Sequence, residues 1–188
     1  MPKDDISTTI FIIAVFVVFI IVALFYENKK TKKAYEALAL LLPGKLTRNI
    51  FRSYFSGEWN GVTFRIFEEK GKNVHFVNIW IKKEIEFKMR VYRKQFGIID
   101  YTKVDTTGIQ GYEDILIFAS AKDESAVISF LQQKKVSEVM NYILIENTAR
   151  LLKFKHGYIL IRYNINDIAL EHTQQLLAET VKKLCEMN

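Results

Sequence analysis

Cysteine, proline, histidine and glycine are scarce in this chain: one, two, three and eight of 188 residues. The lone Cys185 excludes an internal disulfide framework and any Cys-x-x-Cys site. Eight scattered glycines exclude a collagen-like chain or a flexible Gly/Ser linker. His75, His156 and His172 share no short metal-ligand spacing, and no Gly-x-Ser-x-Gly, His-Glu-x-x-His, Walker or EF-hand pattern occurs. With 49% hydrophobic and 13% aromatic residues, intrinsic disorder is excluded too.

What the sequence does have is one long uncharged run. Ile10–Tyr26 carries no polar group before the tyrosine hydroxyl, and Ile6, Ser7, Thr8 and Thr9 extend the uncharged stretch to residues 6–26. As a helix rising ~1.5 Å per residue it spans roughly 30 Å, a bilayer core. The start at Lys3-Asp4-Asp5, the length of the run and the exit through Leu24-Phe25-Tyr26-Glu27 disfavour a cleaved signal peptide. Lys29, Lys30, Lys32 and Lys33 follow the run, and only Lys3 precedes it, so the positive-inside bias predicts an external N-terminus and a cytoplasmic C-terminal part. The expected division is a short non-cytoplasmic tail (1–5), a transmembrane anchor (6–26), a juxtamembrane basic helix (27–44) and a cytoplasmic domain (45–188). The expected setting is a bacterial inner membrane. The anchor has no Asp, Glu, Lys, Arg, His, Asn or Gln and no small-xxx-small face, which argues against transporter and channel readings.

The soluble part reads as α+β, an antiparallel sheet packed by helices, because its strands and helices are segregated rather than alternating. Ala34–Leu42 has a helical stripe stopped by Pro43-Gly44. Asn60-Gly61 suits a two-residue hairpin turn between 52–59 and 62–67. Val74–Ile81 reads as a central strand, Glu84–Tyr92 as a half-exposed strand with Glu84, Glu86, Lys88 and Arg90 outward, and Ile115–Ala119 as a short buried strand. Ser120 and Asp123 resemble a capping box before a short helix. A second helix presents Val136, Val139, Met140, Ile143 and Leu144, a hairpin follows around His156-Gly157, and 167–187 forms a final helix with Leu170, Leu177, Val181 and Leu184 along one side.

Candidate chemistry is sparse. Glu68-Glu69, Glu113-Asp114 and Asp123-Glu124 each have a local explanation at a turn, a strand start or a helix start. Gly108-Ile109-Gln110-Gly111 lacks the Lys-Ser/Thr of a phosphate loop. His75 shares its face with Val77, Ile79 and Ile81 and reads as a core-edge histidine; His156 is expected in a left-handed position; Cys185 is expected to be an unreactive helix residue. No catalytic residue, cofactor or metal is assigned, and a non-enzymatic role is expected.

Charge is more informative. Residues 1–44 carry five cations and four anions, 45–103 thirteen and six, 104–188 nine and eleven, so the net +6 concentrates in the strand-rich segment after the anchor. Lys29, Lys30, Lys32 and Lys33 are expected at the membrane surface, and Lys88, Arg90, Arg93 and Lys94 form a possible basic binding face for anionic lipid headgroups. Nucleic-acid binding is disfavoured, since no RNA-binding motif accompanies the basic residues.

An anchor, a juxtamembrane helix, a Gly-x-Trp-x-Gly-like hairpin (Gly57, Trp59, Gly61) and a strand-helix-hairpin-helix tail together resemble small bacterial single-pass membrane proteins of uncharacterised function. That resemblance transfers no catalytic residue. The expected function is an accessory or scaffold subunit that binds a membrane-protein complex at the cytoplasmic face. The alternatives are a peripheral anionic-lipid-binding domain that uses a basic sheet face, and an enzyme with an unrecognised site.

Overall fold

The computed structural model describes residues 3–48, 53–71, 74–93, 102–106, 112 and 115–187. One helix, α1 (Lys3–Leu38), leads into strands β1 (Gly44–Arg48), β2 (Ser53–Trp59), β3 (Val62–Lys70), β4 (His75–Lys82), β5 (Met89–Arg93), β6 (Thr102–Lys103) and β7 (Ile115–Ala119). Helices α2 (Glu124–Leu131) and α3 (Lys134–Asn141) come next, then the hairpin β8 (Leu151–Lys155) and β9 (Tyr158–Asn164), then α4 (Glu171–Cys185). Among the described residues the strands form one antiparallel sheet in the order β1-β2-β3-β4-β9-β8-β5-β7-β6. The protein is therefore α+β.

Period-two alternation gives the sheet an inner and an outer face. Phe55, Ile66, Ile79, Ile161, Leu152, Val91 and Ile117 stand in register across β2, β3, β4, β9, β8, β5 and β7. Each is at most 1% exposed, and full burial of a side chain of this size is worth ~1.5–3 kcal/mol. The helices cover this inner face. Tyr35 of α1 stacks on Phe55 with ring centroids 6.1 Å apart, Phe130 of α2 meets Phe154 at 5.4 Å, and Thr180 of α4 shares a 3.0 Å hydrogen bond with the Tyr163 hydroxyl.

Several sequence expectations hold. Asn60 and Gly61 both have positive φ (50° and 79°), and β4 lies inside the sheet. Val136, Val139, Met140, Ile143 and Leu144 are all buried, with the last two in a π-helical turn, Tyr142–Glu146, that extends α3.

Others are corrected. The juxtamembrane helix ends at Leu38, because residues 39–42 turn back to bond the Tyr35, Ala37 and Leu38 carbonyls, and β1 begins where only a helix stop was expected. The strand expected over Glu84–Tyr92 is reduced to Met89–Arg93. The β8–β9 hairpin sits between β4 and β5, so residues 83–88 must cross its tip. There the Lys83 N–H donates to the Gly157 carbonyl, His156 Nδ1 lies 3.2 Å from the Ile85 carbonyl, and the Lys88 N–H donates to Asp123. The Ser120 hydroxyl donates to the Asp123 carboxylate at 2.7 Å rather than capping a backbone N–H. At the hairpin tip only Gly157 is left-handed (φ 82°), not His156. The last helix starts at Glu171, which leaves Leu170 before it and 46% exposed. Thr102–Lys103 pairs with β7, a short strand not expected from the sequence; Gly108–Gly111 and the Glu113-Asp114 pair lie outside the described residues.

Within α1, every side chain from Thr9 to Val22 is exposed. Among the described residues no helix is long and apolar enough to cross a membrane.

Candidate functional site

The outer face of the sheet has a composition unlike that of the inner one. Arg65, Trp80, Leu160, Lys153, Arg90 and Phe118 stand in register across β3, β4, β9, β8, β5 and β7, so a single row carries three cations among aromatic and aliphatic side chains, two of them, Lys153 and Arg90, side by side. The contacts that tie α1, α2 and α4 to the strands engage inner-face side chains instead.

Two regions differ in how their charge is met. Towards the ends of β3 and β9, the Arg162 guanidinium donates to Glu69 at 2.6 Å and to the Asn78 carbonyl oxygen at 2.9 Å, while the Asn78 amide donates to Glu69 at 3.2 Å. This closed network lets Asn78 be fully buried, because each of its polar atoms has a partner. Arg162 also lies 4.9 Å from the Phe76 ring centre, and Arg65 lies over both Tyr54 and Trp80, at 5.5 and 5.2 Å.

Lys153 and Lys155 of β8 have no such neutralisation: among the described residues neither is paired with a carboxylate. Lys153 stands directly opposite Arg90. Burial first, and then the Arg90, Lys155 and Arg162 charges, hold the Lys153 ammonium down to about 8 from its ordinary 10.5. A lysine depressed in the fold is penalised while it stays charged, so the penalty is present in full below pH 8 and disappears as pH rises from about 8 towards 10.5. Stability should rise across that window relative to a Lys153→Met variant. Urea midpoints of both proteins at pH 7 and pH 9.5 check this, and parallel pH profiles would refute it.

Of the four sequence-derived face residues, two have described side chains, Lys88 and Arg90. Arg90 is on the outer face, Lys88 belongs to the crossing segment, Arg93 ends β5 opposite Ile115 with its side chain outside the described residues, and Lys94 lies outside them altogether. Sequence reasoning missed Lys153, Lys155 and Arg162. Residues 104–188 sum to −2, and that average hid the hairpin 151–164, which carries Lys153, Lys155 and Arg162 and no carboxylate. The alternation of Lys153 and Lys155 with the buried Leu152 and Phe154 was the signal available.

Of the juxtamembrane lysines, Lys30 bonds Asp167 at 2.8 Å and Lys32 lies 3.5 Å from Glu36, while Lys29 and Lys33 are exposed. The Lys30 ammonium, helped by the Ala169 N–H, holds the Asp167 carboxyl below its usual range. Gln174 donates to the Ala34 carbonyl at 3.3 Å, so α1 is fastened to the start of α4 at two levels. A shallow cleft beside this clamp is lined by Lys30, Glu68, His75 and Asp167. Cys185 is buried and its thiol is pushed up to about 11 by that burial, which makes it a poor nucleophile. Among the described residues no cluster of His, Cys, Asp and Glu is arranged to hold a metal.

No protein-family model matches the chain, and no curated protein does. The crystal structure of the mycobacterial trehalose monomycolate transport factor A, TtfA, superimposes with a TM-score of 0.54 over 85% of this chain and 92% of that one. The likeness is one of fold. At 10% identity it assigns no residue of this chain a role, and the shared feature is the α+β arrangement that TtfA spans almost end to end.

Proposed function

We propose that this protein is a membrane-anchored, non-enzymatic accessory or scaffold subunit that holds its α+β domain at the cytoplasmic face and binds a membrane-protein complex there. One observation carries the reading: a single helix exposes bulky apolar side chains on every side at one end and is built into the domain core at the other. Phe11, Phe16 and Phe19 are 69%, 68% and 76% exposed, while Ala34, Tyr35 and Leu38 are at most 2% exposed. A soluble helix of this length would show a polar stripe; a side chain apolar at every azimuth has lipid or protein as its solvent. Tyr26, at the end of the uncharged sequence, is 72% exposed as well. The fold shared with a mycobacterial transport factor is compatible with an accessory role.

The geometry also sets a direction. Lys30 lies in the cleft with Glu68 and His75, at one end of β3 and β4; Tyr35 meets Phe55 farther along β2; and the chain reaches Gly44, opposite Gly57, near the other end. The last turns of α1 thus descend alongside the strands. With α1 crossing a bilayer, the strands stand on end beneath it and the outer face looks sideways, along the plane of the membrane. That favours a neighbouring protein over the leaflet as the occupant of the face, and leaves Lys29 and Lys33 to meet anionic headgroups.

Membrane fractionation tests the anchor. The full chain should stay with the membrane pellet through high-salt and alkaline-carbonate washes and move to the supernatant only in detergent. Release by salt or carbonate alone would sink the reading, as would a Phe16→Asp, Phe19→Asp variant that stays in the pellet, since each aspartate at a helix centre costs roughly 2.5–3.5 kcal/mol of insertion free energy.

A further inference from the structure

We infer that the outer face of the sheet, centred on Lys153 and Lys155, is a docking site for an acidic segment of a protein partner. Among the described residues the cations Arg65, Lys82, Lys153, Lys155 and Arg162 of this face outnumber its carboxylates Glu58 and Glu69, and Glu69 is already engaged by Arg162 and Asn78. The cations at its centre crowd one another. Arg90 faces Lys153 across β5 and β8, with Lys155 two residues along the same strand, an arrangement that costs free energy in the lone protein and is relieved when carboxylates arrive.

Charge complementarity therefore names the occupant's sign, and the interleaved side chains name its class. Trp80 and Tyr158 pack with ring centroids 6.0 Å apart, Tyr92 meets Phe118 edge-on at 6.2 Å, and Leu160 and Leu151 fill the rows between. Headgroups alone would use the ammoniums and leave this half-buried aromatic surface without a function. A polypeptide with carboxylates between apolar side chains uses both, since aromatic residues and arginine are what protein interfaces concentrate and basic clusters are what acidic motifs seek. The sideways aspect of the face rests on the anchored reading above; the preference for acidic protein does not.

The test uses the full chain in nanodiscs of uncharged phosphatidylcholine and a fluorescein-labelled oligoglutamate peptide carrying interspersed leucines, read by anisotropy. Binding is expected. It should weaken as salt rises, and it should fall at least about tenfold in Lys153→Glu, Lys155→Glu, the loss expected for one charge-assisted hydrogen bond. Lys134→Glu, Lys135→Glu, on the exposed side of α3, makes the same change in overall charge and should bind as the parent does. Lys153→Arg, Lys155→Arg keeps the charge and should retain binding, which separates a lost site from a lost fold. Peptide binding unchanged by the charge reversal overturns the proposal. So does an absence of peptide binding together with capture of phosphatidylglycerol vesicles, which assigns the face to the leaflet, or with self-association of the nanodiscs, which assigns it to a second copy. Because the nanodisc holds the anchor, failure of the peptide arm leaves the fractionation result standing, and the reverse is also true.

Discussion

Gly57→Ala should lower the stability of the domain by about 3 kcal/mol or more, a melting shift of roughly 6–12 °C for a protein of this size. Gly57 of β2 stands opposite Gly44 of β1, and a Cβ on Gly57 would fall 1.9 Å from the Pro43 carbonyl oxygen, 2.9 Å from the Gly44 Cα and 2.9 Å from the Phe64 ring. Backbone cannot give way as a side-chain tip can, so β1 must peel off or β2 must shift. Gly61 is the internal comparison. Its φ of 79° is strained for an L-residue, yet an added Cβ there meets nothing within 4 Å. Gly61→Ala should therefore cost only about 1 kcal/mol, the penalty of the left-handed backbone. Thermal melts of the two variants in the same detergent decide the matter: equal losses would mean that the close approach of β1 to β2 is not what Gly57 permits.

Tyr35→Ala should cost about 3–5 kcal/mol, as large aromatic truncations in a core do. The ring is 1% exposed and stacks on Phe55 at an interplanar angle of 7°, which joins the last turns of α1 to the sheet. Tyr35→Phe should do the opposite. The hydroxyl is buried with no hydrogen-bond partner among the described residues, and burial pushes its ionisation well above the ordinary phenol range. Its removal relieves a desolvation penalty and should leave stability unchanged or raise it by about 1–2 kcal/mol. Urea unfolding of the pair tests this, and a Tyr35→Phe loss as large as the alanine loss would place the energy in the hydroxyl rather than the ring. Spin labels on α1 and α4 add a functional readout, since Tyr35→Ala should broaden the distance distribution between them.

What was legible in the sequence was whatever depended on one element alone. The apolar run, the Asn60-Gly61 turn, the alternation of β4, the stripe of α3 and the antiparallel α+β class follow from period and turn chemistry. What escaped depended on partners far along the chain. Gly44–Arg48 has too few apolar residues to announce a strand and becomes one because Gly57 lets its backbone approach. Glu84–Lys88 has ideal strand alternation, yet the Ile85 carbonyl meets His156 at the tip of a distant hairpin and the Lys88 N–H donates to Asp123 just before α2. The basic face shows both sides of this. Counting charge by segment found Arg90 and attached it to Lys88, Arg93 and Lys94, its neighbours in sequence, while the sheet gives it Lys153, its neighbour across β8.

The insertion of β8 and β9 between β4 and β5 also sets an order in time. As the chain emerges from the ribosome, β1–β4 can pair as a meander and β5 can pair with β7, but the far edge of β4 receives its partner only when residues 158–164 exist, and the second edge of β5 waits for residues 151–155. Until then Ile79, Ile81 and Val91 border open edges, which in a free chain are templates for pairing with other nascent chains. On the anchored reading proposed above, a hydrophobic helix made first and inserted at once would hold each unfinished sheet apart from its neighbours, and so act during synthesis as a spacer as well as later as a tether.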